Sequence, residues 1–299
     1  MDALTGPGAL RFFGEAATHA RAHGGGDRSS QPACRVGMLP GAGRRGLPCW
    51  LALPDRIAPE AAPLVAIHGI HRNAEAQARA FATRAAAQGR LVIAPLFDPA
   101  EWPRYQQVVL GGRADLALLD LLQELQLAGM VRTRRIALAG YSGGAQFAHR
   151  FAMLYPHMVE HLTVTAAGWY TFPADMPFPY GLAVRKGRTD WGSRIADGLD
   201  AFLSLPVDVC VGTADNLPDE HTRRRPRLDE RQGSDRLTRA TRWVEALNAT
   251  AAARGIAPRA RLRLLAGCGH DFAQCVARGG LARIALPDQL SDVAEATVM

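Results

Sequence analysis

A serine stands at the centre of a glycine-rich segment, Gly140-Tyr141-Ser142-Gly143-Gly144, in a chain of 299 residues. The apolar residues 136–139 before it predict a strand, and the residues after it predict an amphipathic helix. A G-x-S-x-G segment at a sharp strand-to-helix turn exposes the serine hydroxyl, and the flanking glycines are needed because a Cβ atom would collide with neighbouring backbone. An ordinary glycine-rich turn is the alternative. The flanking strand and helix favour a nucleophile at Ser142.

A serine hydroxyl is a weak nucleophile and needs a base, which an acid in turn orients. His270 follows the predicted strand 261–267, and Asp215 follows another predicted strand. Asp219, four residues beyond Asp215, is an alternative acid. Asp271 is a weaker alternative, because the side chains of adjacent residues point apart. The sequence therefore offers one base and more than one acid for Ser142.

Apolar segments alternate with helical segments after the first thirty residues. This alternation predicts an α/β fold, a mainly parallel sheet with helices on both faces, and a hairpin at the start predicts an antiparallel N-terminal edge. Residues 31–299 are predicted to form one domain. Residues 1–30 are predicted to be an N-terminal extension with a short helix over 10–21. The predicted strands are 33–39, 47–54, 63–69, 91–97, 135–140, 161–167, 207–212 and 261–267; the predicted helices are 73–88, 114–130, 145–155, 192–204, 239–254 and 271–278.

The order serine, acid, histidine, with each residue at the carboxyl end of a strand, resembles that of the α/β-hydrolase family. The resemblance covers roughly residues 31–285. The segments LVAIHGIHRNAE, GYSGGAQFAHRFAMLYP and GCGHDF are most similar to the polyhydroxybutyrate-depolymerase and feruloyl-esterase-like branch. The resemblance implies the α/β-hydrolase fold with Ser142 as the nucleophile, His270 as the general base and acid, and Asp215 as the carboxylate that orients His270.

The family resemblance also implies an oxyanion hole made of two backbone N–H groups. The first belongs to the residue after the nucleophile, which is Gly143. The second comes from the loop after the third strand, where His68-Gly69 is similar to the family's H-G element. We expect Ile70 to supply that second N–H group, with His71 as the alternative.

Residues 168–181 are rich in aromatic residues and proline and poor in charge. Family members insert lid segments at this point, so a lid-like insertion is expected around residues 168–190. We expect Trp169 and Tyr170 to line the substrate pocket together with His71 and Tyr141. A rigid loop that covers the core is compatible with the same composition.

The formal net charge is +7, with a dense basic run at Arg223-Arg224-Arg225-Pro226-Arg227. No aromatic residues interleave with it, so the run is read as solvated surface and no nucleic-acid partner is expected. Five unevenly spaced cysteines do not form a disulfide framework, and the first residues do not resemble a signal peptide, so we expect a cytoplasmic protein. No apolar run reaches about 18 residues, so no membrane association is expected.

Two clusters have spacings that suggest a metal site: His68 with His71, and Cys268 with His270 and Cys275. The first cluster has no helix beneath it and no nearby acidic ligand, and neither cluster is expected to bind a metal. No other cofactor is expected. The sequence does not indicate an oligomeric state.

The predicted function is that of a cofactor-free serine hydrolase. A carboxylic-ester hydrolase that forms an acyl-enzyme with a small, partly apolar ester is favoured. An amidase or peptidase with the same triad is one alternative. A non-catalytic ligand-binding protein on a hydrolase scaffold is the other.

Overall fold

The structure, a computed structural model, describes residues 34–41, 46–183 and 190–288. The predicted extension over 1–30 and its helix lie outside these residues, as does the part of the lid-like insertion at 184–189. Within the described residues an eight-stranded sheet has the strand order β1-β2-β4-β3-β5-β6-β7-β8. The strands are β1 (Cys34–Leu39), β2 (Cys49–Pro54), β3 (Leu64–Ile67), β4 (Val92–Pro95), β5 (Ile136–Tyr141), β6 (Val159–Thr165), β7 (Val207–Gly212) and β8 (Ala260–Leu265).

The sheet is parallel from β4 to β8, whereas β1 and β2 form an antiparallel hairpin and β2 also runs antiparallel to β4. Every residue of β3, β4, β5 and β7 is buried. Such strands are mainly apolar because helices cover both faces of the sheet, and Asp208 in β7 is a buried exception. The predicted fold class, a mainly parallel sheet with an antiparallel N-terminal edge, is confirmed.

Helices lie on both faces of this sheet and produce two apolar cores. The larger core contains buried residues of α2, α3, α4, α5 and α7, and the smaller core contains buried residues of α1, α8 and α9. Among the described residues, no helix has both the length and the apolar character needed to cross a membrane. The helices are α1 (Ala74–Ala87), α2 (Ala114–Leu127), α3 (Gly143–Leu154), α4 (Trp191–Asp197), α5 (Leu199–Leu203), α6 (Pro226–Gln232), α7 (Arg236–Ala253), α8 (Phe272–Ala277) and α9 (Leu281–Ala285).

Two helical regions differ from the sequence prediction. The helix predicted over 192–204 is two helices, α4 and α5, which meet at Gly198. Helix α6 begins at Pro226, inside the basic run that the sequence predicts to be solvated surface. Proline is favoured at the first position of a helix because its missing N–H has no intrahelical partner there. Arg223 also departs from the prediction, because it is half-buried and lies over the Trp169 ring, 5.7 Å from its centroid.

Candidate active site

Ser142 occupies a strained turn between β5 and α3. Its φ is +54° and its ψ is −113°, a backbone conformation that residues with a side chain rarely adopt. A Cβ atom on Gly140 would lie 2.3 Å from the carbonyl oxygen of Gly144, and one on Gly144 would lie 2.1 Å from the carbonyl oxygen of Ile67. Only glycine fits at these two positions, so the strand can end and the helix begin within one residue. The turn exposes the Ser142 side chain at the carboxyl edge of the sheet.

The structure brings Ser142, His270 and Asp215 together from three separate loops. His270 Nε2 lies 3.1 Å from Ser142 Oγ, and His270 Nδ1 lies 3.0 Å from Asp215 Oδ2. Asp215 is 3% exposed, whereas Ser142 and His270 are half-buried. The ring of Tyr141 stacks on the His270 ring, with 5.2 Å between centroids. The imidazole therefore bridges a hydroxyl on one side and a buried carboxylate on the other.

The carboxylates of the two alternative acids bind other groups than His270. Asp271 caps α8, because its Oδ1 accepts a hydrogen bond of 2.8 Å from the backbone N–H of Gln274. Asp219 accepts two hydrogen bonds of 2.8 Å from the guanidinium of Arg236. Of the three candidate acids, Asp215 is the one whose carboxylate lies within hydrogen-bonding distance of His270.

Arg236 is a residue of the site that the sequence reading missed. It is the first residue of α7 and is 1% exposed, and its Nη1 donates to Asp215 Oδ1 at 3.0 Å. Burial opposes the ionisation of Asp219, but hydrogen bonds from Arg236 and Thr222 hold the pKa of Asp219 well below its usual range. Burial likewise opposes the charge of Arg236, yet Asp219 and Asp215 raise its pKa. No local motif identifies this residue, because 21 positions of sequence separate it from Asp215.

The backbone nitrogen of Ile70 lies close to Gly143, the residue after Ser142. A Cβ atom on Gly143 would lie 3.5 Å from the backbone nitrogen of Ile70. Neither N–H donates to an acceptor within the part of the chain that the structure describes. Two free donors at this place can stabilise negative charge on an oxygen bound beside Ser142.

Buried side chains hold the loop that carries Ile70. Tyr105 Oη donates to the carbonyl oxygen of His68 at 2.6 Å, and the guanidinium of Arg72 lies over the Tyr105 ring. His68 Nδ1 donates to the carbonyl oxygen of Gly69, while His68 Nε2 accepts from the backbone N–H of Phe97. Burial lowers the pKa of His68 to about 4, so its ring is neutral at pH 7. Both ring nitrogens are thus occupied within the protein.

His68 therefore has no free nitrogen for a metal ion shared with His71. Among residues 34–41, 46–183 and 190–288, no group of three or more His, Cys, Asp or Glu side chains is arranged to hold a metal ion. Cys268 and Cys275 are both fully buried, and the Cys268 thiol points to the carbonyl oxygen of Gln274 at 3.5 Å.

An open cleft of about 380 Å³ lies in front of Ser142. Of the four residues expected in the substrate pocket, Tyr141 and His71 line it, and His71 packs edge-to-face against His221 with 5.6 Å between centroids. Ile70 also lines the cleft and is 41% exposed. The lining residues are Gly69, Ile70, His71, Asn73, Ala76, Tyr141, Ser142, His221, His270, Asp271, Phe272 and Ala273.

Trp169 and Tyr170 do not line this cleft, which departs from the expectation. Tyr170 is fully buried and stacks on Trp243, with 4.6 Å between centroids. Trp169 is 4% exposed and covers the buried guanidinium of Arg150 at 4.0 Å from the ring centroid. Their large apolar surfaces are better removed from water in the core than left at a pocket wall.

Comparison with known proteins found similarity in structure but not in sequence. No protein-family model and no curated protein matches the chain. A poly(aspartic acid) hydrolase from Sphingomonas sp. KT-1 is similar over 86% of this chain and 99% of its own, with 24% identity and a TM-score of 0.69. A poly(3-hydroxybutyrate) depolymerase from Bordetella parapertussis is similar over 88% of this chain and 92% of its own, with 24% identity and a TM-score of 0.70.

A ferulic acid esterase is a third similar structure, at 15% identity over 85% of this chain and 98% of its own, with a TM-score of 0.54. At these levels of identity the similarity establishes the fold. The expected α/β-hydrolase fold is confirmed by these structures, which include a depolymerase and a ferulic acid esterase, as the sequence resemblance implied.

Proposed function

We propose that this α/β-hydrolase-fold protein is a cofactor-free serine hydrolase of carboxylic esters. The observation that carries the proposal is the chain of contacts from Ser142 through His270 to Asp215, beside two free backbone N–H groups. The similar structures support the same reaction class, because they are described as a hydrolase, a depolymerase and an esterase. Fold alone does not define a reaction, so the geometry of the site is the main support.

In the proposed reaction, Ser142 Oγ attacks the carbonyl carbon of the ester and His270 Nε2 takes the hydroxyl proton. The Nδ1–H group of His270 donates to Asp215, which fixes the ring and stabilises the imidazolium. The N–H groups of Gly143 and Ile70 bind the oxyanion of the tetrahedral intermediate. His270 then protonates the leaving alcohol, and a water molecule that His270 deprotonates hydrolyses the acyl-enzyme.

The cleft supports a small and partly apolar substrate. Its volume of about 380 Å³ lies near the lower end of small-molecule sites. Ile70 and Phe272 provide apolar surface, and His71 and His221 provide hydrogen-bonding groups at the same wall. We propose that the partner of this site is a small-molecule ester.

Labelling with a fluorophosphonate probe, followed by peptide mapping, tests the proposal. The probe should modify Ser142 stoichiometrically, and His270→Ala should abolish the modification because the hydroxyl then lacks its base. Ser142→Ala should lower kcat on p-nitrophenyl acetate by at least about 10⁴-fold without changing the circular dichroism spectrum. Ester hydrolysis that survives in purified Ser142→Ala, or a folded protein that does not react with the probe, would contradict the mechanism. Absent labelling would favour a ligand-binding protein on this scaffold.

An amide is the second candidate substrate, because one of the similar structures is a hydrolase of poly(aspartic acid), a polymer of amide bonds. The same serine, histidine and backbone N–H groups can cleave either bond. Values of kcat/KM on an ester and an amide that share one acyl group separate the candidates. A higher value for the amide would replace the ester assignment.

A further inference from the structure

A second cavity, of about 310 Å³, lies between residues 172–183 and helix α6 and shares no lining residue with the cleft at Ser142. We call it the arginine cavity. Met176, Tyr180 and Leu228 give it apolar walls, and Arg225, Arg227 and Arg231 also line it. Cavities of this size that combine apolar walls with a few charged groups are typical of small-molecule sites.

One wall of the arginine cavity is fixed by backbone hydrogen bonds and aromatic packing. The N–H of Phe172 donates to the carbonyl oxygen of Tyr180, and further backbone bonds close the loop over 174–183. The Tyr180 ring packs on Trp169 with 4.7 Å between centroids, and Trp169 in turn covers the buried Arg150. The wall is therefore formed before any ligand arrives, which reduces the entropic cost of binding.

The opposite wall, helix α6, is held by side-chain hydrogen bonds. The Gln232 side chain accepts from the backbone N–H of Tyr170 at 3.0 Å and donates to its carbonyl oxygen at 2.9 Å. Asp229 accepts hydrogen bonds from Arg224 and from the buried Arg239. These contacts fix the helix, so the arginines that line the cavity extend from a rigid backbone.

The charges at the arginine cavity are unbalanced. Arg227 and Arg231 stand four residues apart on α6, a spacing at which like charges lie side by side and repel each other. Neither of them, nor Arg225, forms an ion pair with a carboxylate in the described ranges. A single carboxylate, Asp175, lines the same cavity. An anion placed here would relieve the repulsion between the arginines.

We propose that the arginine cavity binds an amphiphile with an anionic head and a short apolar tail. The guanidinium groups bind the carboxylate or sulfate head, since their planar N–H groups match such oxyanions. The tail packs on Met176, Tyr180 and Leu228. This site is separate from the proposed hydrolytic site, and its occupation does not require Ser142.

Isothermal titration calorimetry on the full-length protein tests the site with three probes of equal chain length. Octanoate and octyl sulfate should each bind with one site per chain, and the stronger of the two identifies the preferred head group. Uncharged 1-octanol should bind at least about fivefold more weakly, and salt should weaken the binding of the two anions. Equal binding of octanoate and octanol, or no binding of either anion, would overturn the proposal.

Variants then locate the site. Arg227→Gln with Arg231→Gln should weaken binding of the anions by about tenfold, because two ion pairs are lost. The matched control, Arg259→Gln with Arg283→Gln, removes the same charge from exposed positions outside both cavities and should bind as the wild type does. Fluorophosphonate labelling of Ser142 should be equal in all three proteins, so failure of the hydrolase proposal would be seen separately. Unchanged octanoate binding in the first variant would refute the site.

Discussion

Replacing Arg236 by methionine tests how the site is held together, because Arg236 contacts Asp215, which in turn contacts His270. The Arg236 guanidinium lies 3.0 Å from Asp215 Oδ1 and 2.8 Å from Asp219 Oδ2. Opposite unit charges about 4 Å apart attract by about 4 kcal/mol at an effective dielectric constant of about 20. The Asp219 side chain is 37% exposed and regains contact with water when the arginine is lost. The Asp215 side chain is 2% exposed and does not. We expect Arg236→Met to lower the free energy of unfolding by about 3 kcal/mol.

The kinetic effect should fall on kcat. Asp215 keeps its hydrogen bond to His270 but loses the donor that fixes its other oxygen, so the imidazole is less well oriented. We expect kcat to fall by about 10- to 100-fold, less than the loss of the orienting carboxylate itself would cause. KM should change little, because Arg236 does not line the cleft. The pKa of Asp219, which Arg236 holds down, should rise in the variant.

The assay is hydrolysis of p-nitrophenyl acetate across pH, with Tm measured on the same samples. A loss of about 3 kcal/mol corresponds to roughly 6–12 °C in Tm for a domain of this size. Arg236→Lys keeps the charge but has one nitrogen in place of the two that bind the Asp219 oxygens, so it should lie between wild type and Arg236→Met. Arg259→Met controls for the loss of one exposed arginine. A folded Arg236→Met protein with wild-type kcat would refute the positioning role.

Two further predictions concern the backbone around the nucleophile and the buried histidine beneath it. Gly144→Ala should lower the free energy of unfolding by about 3 kcal/mol or more, because the new Cβ would collide with the Ile67 carbonyl oxygen. Urea unfolding measures this loss. Gly269→Ala is the control, because no atom lies within 4 Å of a Cβ at that position. The pKa of His68 is about 6.5 in the unfolded chain and about 4 in the folded protein. Between these pH values the unfolded chain binds a proton at His68 and the folded protein does not. The free energy of unfolding should therefore fall by about 3 kcal/mol as the pH is lowered through this range. His68→Gln should flatten that slope in urea titrations at about pH 7 and about pH 4.5, and an unchanged slope would contradict the assignment.

The sequence predicts the turn at Ser142 well because its requirements are local. A positive φ at the serine and close backbone contacts at Gly140 and Gly144 can be met only by particular residues at fixed positions. The strands are also predicted well from the sequence, since burial on both faces leaves few polar positions. The loops that follow β7 and β8 then bring Asp215 and His270 to the same edge of the sheet as Ser142.

The sequence does not reveal contacts that depend on how distant segments pack. In the sequence, nothing distinguishes Arg236 from the other arginines. Its role depends on the position of α7, which brings it into contact with Asp215. The aromatic residues Trp169 and Tyr170 fit a pocket wall as well as a core. Trp243, the packing partner that decides between these two places, lies more than 70 residues away. The sequence analysis does not predict helix α6, because its arginines suggest solvated surface. Pro226 is nevertheless a residue type that favours the start of a helix.

The charges around His270 explain why two acids and one arginine stand behind a single imidazole. With neutral His270, the carboxylates of Asp215 and Asp219 exceed the Arg236 guanidinium by one negative charge. In the proposed reaction, His270 takes the proton of Ser142 and the cluster becomes neutral, so its charge arrangement favours the imidazolium that would form during attack. Asp219 lies near enough to His270 for its charge to contribute.

Asp219→Asn tests this charge balance while keeping the shape of the side chain. The variant cluster is neutral before proton transfer and positive after it, so the imidazolium is less stabilised and kcat should fall by about three- to tenfold. Values of kcat for Asp219→Asn and for the wild type, recorded with the same ester, test the role of charge balance. If Asp219→Asn keeps the wild-type kcat, charge balance does not govern the site, and Arg236 and Asp219 act only by holding the loop after β7.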